Sequence, residues 1–409
     1  MTFKELQLNK TILRAIAEKG YDEPTMVQEK TIPLVLANLD VISTAQTGTG
    51  KTAAFALPII ELLLPKQDAK KKKIKALIVS PTRELALQIK EDFQTYTPYT
   101  NLRTTVVFGG ISMEPQIDIL RKGIDILIAT PGRLLDLYKR QKLNLDNIQT
   151  LVLDEADLML DMGFIDDIKK IVKICPKEKQ ILLFSATMPN KVEILANSIL
   201  KEPILVEVAA KSSAAKTVTQ LLYYVPRPKK MELCLHLLRN TIKGSILIFR
   251  RTKFGVDKLE KTLTKNGYNV ASLHGDKSQA ARQEALNKFK NNEINILIAT
   301  DVASRGIDIN NLDAVINFDM PNIPETYVHR IGRTGRANNT GNAYSFCSAD
   351  EKSYIKTIQK LINKAIPIET DHPYILNPEA KINFKKKIGS KYKKGRKSAA
   401  SKKKKKRWY

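Results

Sequence analysis

A chain of 409 residues, 43% of them apolar, is too long for one ordinary core and too apolar to stay unfolded, so about two packed domains plus a remainder are expected. Its 68 Lys/Arg exceed its 42 Asp/Glu by 26, a balance that favours polyanionic partners and says little about fold. Three widely spaced cysteines, Cys175, Cys234 and Cys347, exclude a disulfide framework, and no apolar run approaches the ~18 residues of a membrane span, so a cytoplasmic protein with no membrane partner is expected. Met1–Lys19 reads as an amphipathic helix without the apolar core of a signal peptide. From there one unit recurs: a short apolar run, a polar cluster, a helical stretch. The runs are Val41–Ser43, Ala76–Ser80, Asp125–Thr130, Leu151–Leu153 and Ile181–Ser185, then Ser245–Phe249, Asn269–Leu273, Ile294–Thr300, Ala314–Phe318 and Asn342–Cys347. Continuous apolar strands alternating with helices predict parallel sheets covered on both faces, and two such sets predict two α/β domains in tandem. The boundaries expected are residues 1–208 for the first domain, a small polar linker over 209–217, a second domain over 218–371, and a largely disordered basic tail over 372–409.

The polar clusters fall at the carboxyl ends of the runs, where open parallel sheets bind ligands. After the first run comes Ala45-Gln46-Thr47-Gly48-Thr49-Gly50-Lys51-Thr52, which opens an apolar helix. Strand, glycine loop, Lys-Thr and helix are the context of a phosphate-binding loop: backbone N–H groups converge on phosphate oxygens, Lys51 reaches the β/γ-phosphates and Thr52 ligates Mg²⁺. The usual first glycine is Ala45 here. After Leu151–Leu153 comes Asp154-Glu155-Ala156-Asp157. Asp154 is the expected Mg²⁺ holder, partly through water, and Glu155 the group that orients and deprotonates the attacking water.

That tetrad spells D-E-A-D, and the chain resembles the DEAD-box ATP-dependent RNA helicases from Phe3 to about Ser348; its short termini look like bacterial RhlE-type members. The resemblance implies two RecA-like P-loop domains that bind ATP and Mg²⁺. It implies that Tyr21, Thr25 and Gln28 of Gly20-Tyr21-Asp22-Glu23-Pro24-Thr25-Met26-Val27-Gln28 contact the adenine, with Phe3 as the isolated upstream aromatic. It assigns RNA contacts to Pro81 and Arg83 of Pro81-Thr82-Arg83-Glu84-Leu85-Ala86, to Gly109-Gly110, and to Thr130 and Arg133 of Thr130-Pro131-Gly132-Arg133. Ser185 and Thr187 of Ser185-Ala186-Thr187, with Asp157, would couple ATP state to strand separation.

In the second half, Arg250-Arg251-Thr252 departs from the family's commoner Cys/Val-Asn-Thr, with Arg251 expected near RNA phosphate, and Gln279-Ala280-Ala281-Arg282 matches a helix-borne motif. By the same resemblance Thr300 contacts RNA, and Gly306 and Asp308 border the ATP ribose. His329-Arg330-Ile331-Gly332-Arg333-Thr334-Gly335-Arg336 packs four cationic or cationisable side chains into eight residues, which repel one another unless an anion is shared. Arg333 and Arg336 are the arginine-finger candidates, and His329 would couple to the acids of the first domain. Contacts of this kind are mostly to phosphate, so single strands and short duplexes of RNA with little sequence preference are the expected partner. RNP or ribosome-precursor association is compatible. The tail carries 15 Lys/Arg and no acid from Lys381 to Tyr409 and is expected to tether RNA; Lys402–Arg407 also reads as a nuclear import signal. The rival readings are a non-hydrolysing RNA clamp and a DNA helicase.

Overall fold

The structure is a computed structural model that describes residues 1–45, 48–64, 73–208, 218–304, 309, 312–335 and 341–376. The linker over 209–217, the segment Lys381–Tyr409, and Gln46, Thr47, Gly306, Asp308 and Arg336 lie outside the described residues.

Seven parallel strands make the first sheet: β1 (Val41–Thr44), β2 (Ala76–Val79), β3 (Thr104–Val107), β4 (Ile126–Ala129), β5 (Thr150–Leu153), β6 (Gln180–Ser185) and β7 (Ile204–Glu207), in the order β3-β4-β2-β5-β6-β1-β7. Six more make the second: β8 (Val218–Tyr224), β9 (Ile246–Phe249), β10 (Val270–Leu273), β11 (Ile296–Ala299), β12 (Ala314–Asn317) and β13 (Gly341–Cys347), in the order β10-β11-β9-β12-β13-β8. Two parallel sheets with helices on their faces bear out the tandem α/β expectation. β3, β7 and β8 were not anticipated, and all three are edge strands. Their mixed residues (Thr104-Thr105-Val106-Val107, or the exposed Ile204 and Leu205 of β7) lack the continuous burial of β2, β4 and β5.

Register sets the working edge. Val79 pairs with both Leu153 and Ala129, and Val107 with Ala129, so the carboxyl ends of β2 to β5 finish at one level; Leu153 pairs with Leu183 and Thr44 with Ser185, so β1 and β6 run two residues further along the same edge. The core beneath is held by Phe55, fully buried at 5.2 Å from Phe184 and 6.3 Å from Phe93. Full burial of such a ring is worth about 2–3 kcal/mol.

The second body reaches past Asp371, where the basic tail was expected to begin. Leu222 donates its N–H to Pro367 O at 2.8 Å, Glu369 to Leu222 O at 2.9 Å and Leu376 to Tyr224 O at 2.9 Å. His372 packs its ring 5.5 Å from Tyr223 and is buried, which lowers its pKa. These residues cover the open edge of β8, whose N–H and C=O groups otherwise face solvent. Among the described residues no helix is long and apolar enough to cross a membrane.

Candidate active site

The phosphate loop leaves β1 at Ala45. Gly48 and Gly50 have φ of 81° and 90°, and Gly50 caps the helix Lys51–Leu63. A Cβ on Gly50 would lie 2.4 Å from Gln28 Nε2, so both backbone and space demand glycine there. Lys51 begins the helix 6% exposed, its Nζ 3.3 Å from Glu155 Oε1, with Thr52 half-buried beside it. Ala45, expected among the nucleotide contacts, is buried and spends its N–H on Ser185 O at 3.1 Å; it supports the loop from beneath.

The carboxylates come from the end of β5. Asp154 is 3% exposed, and one of its oxygens accepts the Glu155 N–H at 3.0 Å. Glu155 sits at φ 53°, ψ 53°, a left-handed conformation that costs a non-glycine residue about 1–2 kcal/mol. Burial and the neighbouring Glu155 push Asp154 up from 3.8 to about 7. For Lys51, burial works to lower the pKa, yet Glu155, Asp154 and Asp157 more than offset it and leave it raised. Three carboxylates thus face one lysine in a dry site. That surplus of negative charge fits a divalent cation, with Thr52 and Asp154 as the holders. Among the described residues no cluster of three or more ligands could cage a metal unaided, as suits Mg²⁺, which keeps waters and phosphates in its shell.

A testable consequence concerns stability in the absence of nucleotide and metal. Asp154 is ionised in the unfolded chain above about pH 4 and in the folded chain only above about pH 7. Its contribution is therefore complete below pH 4 and is lost as pH rises to about 7. Asp154→Asn should accordingly melt higher than the wild type at pH 8, by a margin worth a few kcal/mol that closes towards pH 4. A pH-independent difference in melting temperature would refute the burial penalty.

On the adenine side, the Thr25 N–H donates to Gln28 Oε1 at 2.9 Å, and Gln28 Nε2 donates to Gly50 O at 3.1 Å. One Nε2 proton and one Oε1 lone pair remain, the pair that an adenine edge can use. Gln28 is therefore a strut between its own helix and the phosphate loop. Tyr21 is half-buried with its hydroxyl 3.4 Å from Tyr96. Phe3, expected to approach the nucleotide, is buried in the core cluster with Leu6, Ile12 and Ile16.

Asp157, Ser185 and Thr187 are brought together. The Thr187 N–H and hydroxyl both donate to one Asp157 oxygen, at 2.9 and 2.8 Å; Ser185 Oγ accepts the Asp157 N–H and donates to Thr187 O.

The RNA candidates of the first body also converge. The Arg83 guanidinium lies across Gly110, whose φ is 78° and whose Cβ would strike it at 2.2 Å. Arg133 reaches into the same loop, Nη2 donating to Ile111 O at 2.9 Å, while its buried Nη1 has no partner. Burial, and behind it the nearby Arg83 and Arg140, hold Arg133 below the usual arginine range despite Asp136. Pro81, Gly109 and Thr130 line the adjacent strand ends, with Thr130 capping the helix Pro131–Lys139. Crowded cations, an unspent donor and the N-termini of two helices, Arg83–Tyr96 and Pro131–Lys139, form a cradle for phosphate.

In the second body the expectation of a shared anion is corrected for Arg330. Its guanidinium is 2% exposed and bidentate on Asp301 at 2.6 and 2.8 Å, with further bonds to Asn317 and Asp319 O. It is neutralised internally and ties the ends of β11 and β12 together. Arg333 follows on the next turn, buried, with His329 half-buried behind it. Thr300 stands half-buried at the end of β11. Arg251, expected on RNA phosphate, turns into its own body: Nη2 donates to Met320 O at 2.8 Å and to Glu351 at 3.1 Å, and the guanidinium lies over Tyr354. Glu351 is buried and also takes Lys230 Nζ at 2.6 Å.

Sequence reading missed the residues that join the bodies. Glu84, 4% exposed, accepts Gln279 Nε2 at 3.0 Å and pairs with Arg282 Nη2 at 3.0 Å. Arg83 adds a 3.4 Å contact to Gln279. Gln279 and Arg282 lie three apart on the helix Gln279–Lys290, so one face presents both. A signal was available only in hindsight: Glu84 is an acid inside a segment, Pro81–Ala86, read as anion-binding.

Comparison with known proteins gives a consistent picture. Residues 25–195 match the family model described as DEAD/DEAH box helicase, and residues 229–338 the one described as helicase conserved C-terminal domain. The ATP-dependent RNA helicase CshA of Limosilactobacillus reuteri is 44% identical over 393 residues, covering 95% of this chain and 76% of that protein; this relative is of the CshA rather than the RhlE type. S. cerevisiae Dbp5 bound to RNA and ADP BeF3 is 31% identical with a TM-score of 0.80, over 90% of this chain and 94% of that one. A DEAD box protein from Methanococcus jannaschii is 40% identical, yet its TM-score is 0.52 over 90% of this chain and 99% of that one.

Proposed function

The chain belongs to the DEAD-box family of ATP-dependent RNA helicases, and we propose that it hydrolyses ATP only when its two bodies close on a shared RNA strand, separating short duplexes locally. It is an ATP-hydrolysing, RNA-binding enzyme. The residues divide the labour. Lys51 holds the β/γ-phosphates. Glu155 takes the proton of the attacking water, and Arg333 with Arg336 meets the charge that develops on the γ-phosphate. Thr52 and Asp154 would hold Mg²⁺, which would supply charge neutralisation at the phosphates. Gln28 and Tyr21 orient the adenine, and Gly306 and Asp308 border the ribose. Neither body has the whole set, so an open enzyme is nearly idle. Asp157, Ser185 and Thr187 carry the state of the carboxylate loop towards the second body. RNA lies along Pro81, Arg83, Gly109, Gly110, Thr130, Arg133 and Thr300, which address phosphate rather than base edges.

The observation that carries this reading is the Glu84 bridge to Gln279 and Arg282, beside the RNA candidate Arg83. It joins the bodies on the face where RNA is expected, so filling that face favours closure, and by linkage ATP and RNA each tighten the other. The whole-chain likeness to Dbp5 with RNA and nucleotide, higher than to the more identical Methanococcus protein, supports a closed arrangement, since bodies set differently lower an overall fit that sequence alone would favour.

The test is steady-state ATP hydrolysis without nucleic acid, with single-stranded RNA, and with DNA of the same sequence. Strong stimulation by RNA alone is expected. Equal stimulation by DNA would favour a DNA helicase, and ATP bound without turnover would favour a clamp. Glu84→Ala strands Arg282 and removes two contacts of about 1–3 kcal/mol each, so the RNA needed for half-maximal turnover should rise at least about tenfold. An unchanged requirement would mean that the bridge does not favour closure. The basic segment Lys381–Tyr409 acts as an auxiliary tether for RNA or for an RNP such as a ribosome precursor. Its deletion should flatten the dependence of RNA affinity on salt while leaving basal ATPase intact, and an unchanged slope would exclude the tether.

A further inference from the structure

The helix Lys253–Lys265 leaves the carboxyl end of β9 and carries charges of both signs, sorted onto different flanks. Its acids are engaged. Asp257 meets His274 Nε2 at 2.9 Å, and Glu260 accepts from Ser272 Oγ at 2.7 Å and Lys277 Nζ at 3.2 Å. Lys258, Lys261 and Lys265 are all exposed, and among the described residues no carboxylate lies within ion-pair distance of any of them. Their spacing of three and four places them on one stripe, and four residues before Lys258 the same stripe begins with Phe254. Phe254 is 75% exposed, in the first turn of the helix.

The exposed stripe carries one sign of charge, and at its head the Phe254 ring has Lys253 Nζ 5.2 Å from its centroid. The stripe lines a groove of about 410 Å³, bounded by Phe254, Lys258, Lys261 and Lys265 with Thr262 and one acid, Asp257, which His274 engages. A second hollow of about 450 Å³ shares Lys258 and Thr262 with it and runs on to Arg250 and Arg251 at the end of β9. Arg250 and Arg251 are paired with Asp319 and Glu351, so the unpaired cations are the three lysines, and the stripe from Phe254 to Lys265 runs about 16 Å down the helix from the strand-end edge. A row of unpaired lysines with a stacking ring at its mouth is the chemistry that takes a nucleic-acid strand without regard to sequence.

We propose that the outer face of the helix Lys253–Lys265 is a second RNA surface, which takes the single-stranded stretch running out of the interdomain cleft, Lys258, Lys261 and Lys265 meeting phosphates and Phe254 stacking on a base. This rests on the function read above and extends the path of the strand beyond it. The surface contributes grip and length preference rather than chemistry: long RNA binds better than short, and the difference resides in this helix.

The experiment uses the full chain and two variants, Phe254→Ala and the triple Lys258→Gln, Lys261→Gln, Lys265→Gln. ATP turnover is titrated with an oligo(U) just long enough to span the cleft and with one twice that length, over a series of salt concentrations. With the long RNA the triple variant should need roughly tenfold more RNA for half-maximal turnover, and its salt slope should flatten by about 2, the share of three phosphate contacts on a single strand. Phe254→Ala should raise the same requirement several-fold with the slope unchanged, because stacking releases no counterions. With the short RNA both variants should match the wild type, and kcat should be unaltered with either RNA. Wild-type behaviour of both variants on long RNA overturns the proposal, and so does an equal loss on short and long RNA. A wild-type chain whose ATP turnover ignores RNA of any length would overturn the parent reading instead, a result distinct from either.

Discussion

Glu155→Gln should bind ATP and RNA and then stall. A general base contributes about 10²–10⁴ in rate, so single-turnover hydrolysis should fall by at least about a hundredfold, while the closed complex accumulates and releases RNA slowly. The geometry gives the reason for both halves of this result. Glu155 is held beside Lys51 and just after Asp154 by a left-handed backbone, a strained conformation of the kind that clusters at active sites. Glutamine keeps the shape and accepts a hydrogen bond, but it takes no proton at neutral pH. Removing one charge from a crowded set of three carboxylates also relieves repulsion as the triphosphate enters, so affinity should be kept or improved. Rapid-quench hydrolysis and RNA release, measured on the same preparation, decide the matter: turnover at the wild-type rate would remove Glu155 from the chemistry.

The second large effect is expected at the arginines of the other body. Arg333→Ala, and separately Arg336→Ala, should lower RNA-stimulated hydrolysis by about 10³–10⁵ with ATP affinity changed only a few-fold, the pattern of a group that meets charge only in the transition state. Arg333 is buried on the turn after the helix Pro324–Ile331, and its carbonyl accepts the Leu312 N–H, so its backbone is fixed before any substrate arrives. Arg330 supplies the control. It lies three residues earlier, yet its guanidinium is locked onto Asp301, so Arg330→Ala should unfold or loosen the second body rather than leave a stable, inactive enzyme. A loss of ATP binding in Arg333→Ala without a loss of kcat would contradict the finger role.

These positions also indicate what could be read in advance. The phosphate loop, the acidic tetrad and the Ser-Ala-Thr segment were legible because each is local: a strand, a turn and a helix start within a dozen residues, with side chains whose chemistry leaves few uses. The parallel sheets were legible because buried strands are continuously apolar, and the edge strands β3, β7 and β8 were missed because theirs are not. Glu84 could not be found in this way. Its partners lie 195 and 198 residues along the chain on a different body, and nothing in the periodicity of either helix records that they meet. Arg330 and Arg251 were misjudged for a related reason. A charged residue inside a motif looks like a ligand contact, and the acids that consume it, Asp301 and Glu351, are brought near only by the fold.

The ion pair between Lys51 and Glu155 has one more implication, for an enzyme that spends much of its life waiting. On the function proposed above, the cation that meets the phosphates meanwhile rests on the base that takes the proton of the attacking water. Glu155 is thereby muzzled in the empty pocket. On the same proposed function, the phosphates of an arriving nucleotide draw Lys51 away and release Glu155. On that reading the substrate arms its own hydrolysis.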